Sequence, residues 1–152
     1  MGRKKFEEGI GLRSMQKWCR ALVLFCIGGV LYVLIEEVAR GRSHWSMLLL
    51  GGMCFLLIGL INEKFCRNLG LFWQMLLGGG IITVLELATG LFVNVWMGWN
   101  VWDYSNMPLN LWGQICLPYS LLWTVISLAA VFLDDWLRWK LFDEPHRKYK
   151  LF

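Results

Sequence analysis

Charged side chains are scarce in this sequence, at 17% of 152 residues, where a soluble domain carries about a quarter. From Tyr104 to Leu133 there is no Asp, Glu, Lys or Arg at all. A bilayer-spanning helix needs about 20 predominantly apolar residues, and one soluble core does not account for runs of that kind. Other absences bear on function. No GxxxxGK[ST] stretch occurs, so the chain brings no phosphate-cradling loop and no ATPase of its own. The five cysteines never stand at CxxC spacing, and no HxxxH or ExxH pair is present, which removes the usual zinc patterns. The thiols then read as small apolar side chains. No metal or other cofactor is expected. No basic groove with interleaved aromatics appears, so nucleic acid is not an expected partner. No small-residue cleavage pattern follows the first apolar run, and that run is expected to remain in the mature chain.

What the sequence does contain is apolar residues, 57% of the total. They fall into four segments, about Ala21–Val38, Trp45–Asn62, Leu69–Val95 and Met107–Leu133. Lipid offers no partner to backbone N–H and C=O groups, so each span must be helical. The runs are too long for barrel strands and lack a period of two. The expected fold is an all-α integral membrane protein, a bundle of about four transmembrane helices forming one membrane domain. Residues 1–20 read as a basic N-terminal segment, 21–133 as the bundle and 134–152 as a C-terminal tail.

Basic residues set the expected orientation. All but two of the fifteen lysines and arginines fall in the N-terminal segment, the connection holding Lys64 and Arg67, or the C-terminal tail. Arg40 and Arg42 are the two on the other side. The positive-inside bias then places both termini in the cytoplasm of a multi-pass cell-membrane protein. Tryptophans agree: Trp18, Trp73, Trp136 and Trp139 fall at the inner boundary, and Trp45, Trp96, Trp99 and Trp102 at the outer one. Gly28–Gly29, Gly51–Gly52, Gly59 and Gly78–Gly79–Gly80 read as close helix contacts.

Polar groups within the spans are costly and mark function or a buried pairing. Those expected in the outer half of the spans are Glu36, Glu37, Glu86, Asn110 and Gln114. The outer connections add Arg40, Arg42, His44, Asp103, Tyr104 and Ser105. Glu86, Thr89 and Gly90 share a face at i, i+3 and i+4, and Asn110 and Gln114 share another if they are helical. Glu36 and Glu37 lie four and three residues before Arg40, within reach of an ion pair. Pro118 is expected to loosen the last span. The Asp134–Asp135 pair reads as an anchor in the inner headgroups. Two readings of the outer cluster stand side by side: a network that pins the helices in register, or a pocket or ion path open to the outside. A hydrolytic site has little behind it, since nothing orients a nucleophile, and no enzymatic activity is expected.

The stretch LELATGLFVNVWMGWNVWDYSNMPLNLWGQICLPYSLLW, Leu85 to Trp123, resembles the ABC-transporter type IV family, ABC transporter permeases of Gram-positive bacteria. EEVARGRSHWSMLLLGGMCFLLIGLINE, Glu36 to Glu63, is similar to one branch of it. The E-L-x-T-G, W-D-Y-S and N-L-x-G-Q-I-C-L elements pick out Glu86, Thr89, Gly90, Trp102, Asp103, Tyr104, Ser105, Asn110, Gly113 and Gln114. GRSHW stands where other members carry N-R-G and G-P motifs. The resemblance implies transport. The leading expectation is a permease-like subunit that binds a small polar or charged solute at an outward-facing cluster of Glu36, Glu37, Arg40, His44, Glu86, Thr89, Trp102, Asp103, Tyr104, Ser105, Asn110 and Gln114. Membrane lipids surround it, and a separate ATPase subunit or a second copy of the chain completes it. The rival expectation is a non-transporting membrane scaffold or lipid-binding protein; a third is an intramembrane enzyme acting on lipid.

Overall fold

The computed structural model describes residues 2–61, 63, 69–145, 147 and 149–151, with side chains from Met15 onward. The connection holding Lys64, Cys66 and Arg67 lies outside the described residues. Four helices make the architecture: α1 (Gly2–Arg40), α2 (Trp45–Leu60), α3 (Leu71–Gly90) and α4 (Leu117–Phe142). A π-helical turn, Leu91–Trp96, prolongs α3. The protein is an all-α membrane protein. Met15–Arg40, Leu71–Trp96 and Leu117–Phe142 are each 26 residues long and apolar enough to cross a membrane. At 1.5 Å per residue each reaches about 39 Å, more than the roughly 30 Å hydrocarbon core. Helix α2 is as apolar but only 16 residues long, about 24 Å.

The helices pair as two hairpins. α1 packs along α2, α3 packs along α4, and the hairpins meet chiefly through α2 against α3 and α4. The connection before α2 (41–44) and the long one before α4 (97–116) share one end of the bundle, where His44 and Trp45 meet Trp99. The start of α3 and the tail after α4 share the other. We call these the loop end and the tail end. At the tail end α3 has no side-chain N-cap. Its first N–H groups donate instead to the tail, Leu71 to the Lys150 carbonyl at 2.8 Å and Phe72 to that of Leu151 at 3.3 Å.

Several sequence expectations are corrected. The segment from Met107 to Cys116 is not helix. It is a turn closed by a small antiparallel ladder, β1 (Asn110–Leu111) against β2 (Ile115–Cys116). Helix α4 therefore starts at Leu117 and puts Pro118 in its first turn, where a missing N–H is harmless, so Pro118 loosens nothing. Helix α4 also runs on to Phe142. Asp134 and Asp135 thus lie within it and are buried, not in a tail. Trp102, placed at the membrane boundary by sequence, is buried in the core.

Glycines set the helix contacts. A Cβ on Gly78 would lie 2.7 Å from Ser127 Cβ, and one on Gly79 would lie 2.7 Å from Thr124 Cα, so α3 and α4 touch nearly backbone to backbone. The same substitution at Gly80 meets nothing, so only two of the three glycines form the wedge. Gly28 and Gly51 make the matching contact between α1 and α2, against Phe55 and Tyr32. Gly78→Leu or Gly79→Leu is expected to lower the melting temperature in detergent, by about 1–3 kcal/mol of overpacking. Gly80→Leu should leave it unchanged or raise it, since glycine costs a helix about 1 kcal/mol. Equal effects at all three positions would refute this packing.

Candidate functional site

The two polar helix residues Glu86 and Asn94 lie two turns apart near the loop end of α3 and its π-helical extension. Both face inward, and the 97–116 connection folds down over them. Within W-D-Y-S the side chains alternate as extended chain requires: Trp102 and Tyr104 point into the protein, Asp103 and Ser105 out. The Tyr104 hydroxyl donates to Glu86 Oε1 at 3.1 Å. From the other side, Trp123 Nε1 of α4 donates to Glu86 Oε2 at 3.1 Å. Glu86 is only 2% exposed, and both of its oxygens are held by neutral donors from two different elements. Burial, and then the nearby Glu86 carboxylate, push the Tyr104 hydroxyl well above the ordinary tyrosine range. Tyr104 therefore stays protonated and keeps donating.

A second lock lies above. Asn94 Nδ2 donates to the Trp102 carbonyl at 3.0 Å and to Gln114 Oε1 at 2.8 Å, and Asn94 Oδ1 accepts from Val101 N at 2.7 Å. Trp102 Nε1 donates to the Gln114 carbonyl at 2.9 Å. Gly90 makes the docking possible, because a Cβ there would stand 2.6 Å from Gln114 Oε1 and 3.0 Å from the Trp102 ring. On the outer surface of the connection, Asp103 Oδ1 accepts from Ser105 N and Oγ. These bonds, the hydroxyl first, hold the Asp103 carboxyl below its usual range. Asn110 bridges the Ser105 and Met107 carbonyls, and Gly113, at φ +68°, closes the turn beneath them. The E-L-x-T-G, W-D-Y-S and N-L-x-G-Q residues are thus largely the two surfaces of one docked connection.

The predicted cluster divides accordingly. Glu86, Tyr104, Trp102 and Gln114 come together. Glu36 and Arg40 form an ion pair one turn apart at the end of α1, and the Ser43 hydroxyl donates to Glu36 at 2.7 Å. Glu37 is exposed, on the other side of α1. His44 caps α2 by accepting from Ser46 N. Asp103, Ser105 and Asn110 are exposed, and Thr89 is half-buried outside these bonds. Asn110 and Gln114 do not share a helical face, because their segment is a turn and ladder. Arg40 bonds to Glu36 and not to Glu86. No group of three metal-ligating side chains that could hold an ion occurs among the described residues.

Sequence reasoning passed over Trp123, Asn94 and Tyr32, whose ring stacks on Trp123 at 5.1 Å. The available signal was a tryptophan in mid-span, far from either boundary. At the tail end it read Asp134 and Asp135 as a headgroup anchor and missed the buried ion pair. There Asp134, 1% exposed, takes Arg138 Nε at 2.6 Å, and Arg138 reaches on to Glu63 at 2.5 Å. Gly59 of α2 leaves room for the Asp134 carboxylate, which lies 2.7 Å from where a Cβ would be. Asp135 accepts from the Tyr149 hydroxyl at 3.0 Å, which ties the tail to α4. Burial and the Asp135 charge push that hydroxyl up to about 12.

Two outcomes follow from this geometry. Tyr104→Phe and Trp123→Phe each remove one donor from a buried carboxylate, worth about 1.5–3 kcal/mol. Both should lower the detergent melting temperature, and Tyr104→Phe should also expose the 97–116 connection to protease. Arg138→Leu leaves Asp134 uncompensated and should cost about 3–5 kcal/mol. Wild-type melting of that variant would show that the tail-end cluster carries no charge coupling.

The chain matches no curated protein and no solved structure. A family-wide sequence profile described as "Putative ABC-transporter type IV" matches residues 22–149. That range takes in most of the first span, all of the other helices, the docked connection and the tail residues that bond to Asp135. The protein, a membrane protein with apolar helices of spanning length, belongs to that ABC-transporter type IV family.

Proposed function

We propose that this protein is the membrane-embedded, non-catalytic subunit of a transporter, and that Glu86 receives a positively charged or strongly polar group of the solute. One observation carries the reading. Glu86 is buried in a spanning helix, and its donors, Tyr104 and Trp123, are both neutral. A carboxylate in that setting is expensive. A buried cross-link could be built from amides at lower cost, as Asn94 and Gln114 do one level above. A carboxylate is needed where charge has to be met. The Tyr104 hydroxyl lies on a connection and not on a spanning helix, so lifting that connection would free one carboxylate oxygen while Trp123 held the other.

The chain has no nucleotide-binding loop. On this reading a separate ATPase subunit, or a second copy of the chain, supplies the rest of the machine. Cytoplasmic termini follow from the basic bias of the sequence, which would set the docked connection and Glu86 near the outer face. A second reading, a lipid-binding scaffold that does not transport, draws on the apolar crevice described below and makes no use of the Glu86 charge.

Glu86→Gln separates them. It keeps shape, accepts from Trp123 through its oxygen and donates through its Nε2 to the Tyr104 hydroxyl oxygen, and removes the charge. In a strain that depends on this protein, the variant should express and melt as the wild type does and yet fail to support growth. Normal growth on Glu86→Gln would end the charge-binding reading.

A further inference from the structure

A crevice of about 160 Å³ separates the two hairpins on the face where α1 and α4 barely touch. Gly28 of α1, Gly51 and Ile58 of α2, Ile82 of α3, and Ile126 and Ala129 of α4 line it, and its wall is almost wholly apolar. Ile35 and Ala129 at its rim are exposed. So are their neighbours on the same helices, Val30, Leu34, Leu122 and Val125. On helices of spanning length, faces of that kind meet lipid, so the mouth of the crevice opens sideways into the bilayer.

Two further lining residues are Tyr32 and Trp123, the stacked pair. Trp123 presents a ring to the crevice while its Nε1 holds Glu86. Ile82 lines the crevice one helical turn before Glu86. An apolar slot therefore runs up to two aromatic rings with a carboxylate bonded directly to one of them. Aromatic faces attract cations, and more strongly when water is excluded. A carboxylate hydrogen-bonded to the indole N–H adds electron density to that ring and negative potential behind it. Among the described residues no basic side chain lines the crevice, and Arg40, the cation whose field reaches Tyr32 and Glu86, is paired to Glu36. The site is complementary to a positive charge attached to an apolar body.

We propose that the crevice between α1 and α4 is a binding site for an amphiphilic cation that enters from the membrane, its apolar portion between the glycines and isoleucines and its charge against Tyr32 and Trp123 in front of Glu86. This rests on the proposed role of Glu86 and names the substrate class for it. Small residues do the specific work. Gly28 and Gly51 bring α1 and α2 together at the floor, and Ala129 keeps the rim open. The volume suits a short alkyl chain with a compact head. A two-tailed phospholipid is far too large to enter whole.

The test uses full-length protein in lipid nanodiscs and two radiolabelled probes of equal chain length, hexyltrimethylammonium and hexanesulfonate. Saturable binding of the cation, at least about tenfold tighter than the anion, is the expected result, a ratio that corresponds to about 1.4 kcal/mol. Ala129→Phe, at the exposed rim, should fill the slot and weaken cation binding about tenfold with no change in melting temperature. Glu86→Gln should weaken it with the slot intact. Ile126→Trp fills the slot from a second position if Ala129→Phe does not fold. Equal binding of both probes, no saturable binding of the cation, or full affinity in a folded slot-filling variant would each overturn the proposal. Those results alongside failed growth on Glu86→Gln would leave the charge-binding role of Glu86 standing with a different solute and route. Normal growth on Glu86→Gln would remove that role whatever the crevice binds.

Discussion

Glu86 is held by two donors that lie far from it in the chain, Tyr104 and Trp123. A carboxylate inside a spanning helix is tolerated only where other groups of the protein satisfy it, and here that requirement organises the loop end. Tyr104 can reach Glu86 only if the 97–116 connection lies flat across the top of α3. That placement in turn brings Trp102 and Gln114 onto Gly90 and Asn94. Trp123 can reach it only if α4 packs against α3 as closely as Gly78 and Gly79 allow. Lid, helix pair and aromatic stack therefore answer to one buried charge.

The tail end follows a different electrostatic rule. There the buried acid, Asp134, has a cation bonded to it, and the pair is extended to Glu63. Gaining a partner of opposite charge offsets much of the desolvation cost of a buried carboxylate, although such a pair adds little net stability over apolar packing. The two ends thus hold buried acids differently, one bonded directly to a cation and one hydrogen-bonded by neutral donors alone, with Arg40 acting on it only at a distance. That contrast is the physical reason for proposing solute recognition at Glu86, while Asp134, Arg138 and Glu63 tie the ends of α2 and α4 together.

Much of the loop-end site was legible as composition but not as geometry. Glu86 was evident because it is the single acid in a long apolar run, and Gly90 because helical spacing puts it on the same face. The Glu36–Arg40 pair followed from a four-residue separation, which a helix always brings into register. Asn110 and Gln114 failed under the same rule, because the rule needs a helix. The apolar character of Met107–Cys116 is indistinguishable by composition from the start of a span, and its turn is set by contacts with α3. Trp102 failed similarly. Tryptophan near a span end usually sits in the headgroups, and only the docking of its connection sends this one inward.

Backbone chemistry in lipid leaves an apolar run of spanning length no alternative to helix, so the sequence by itself determined an all-helical membrane protein, the positions of most helices, the glycine contacts other than Gly80 and the family. Only tertiary structure decided which polar residues meet. Covering the loop end with the 97–116 connection, extending α4 to Phe142, stacking Tyr32 on Trp123 and leaving a slot between α1 and α4 all depend on side chains distant in the chain. Such contacts turn on the shapes of both surfaces at once. A local pattern of apolar and polar residues records only one of them.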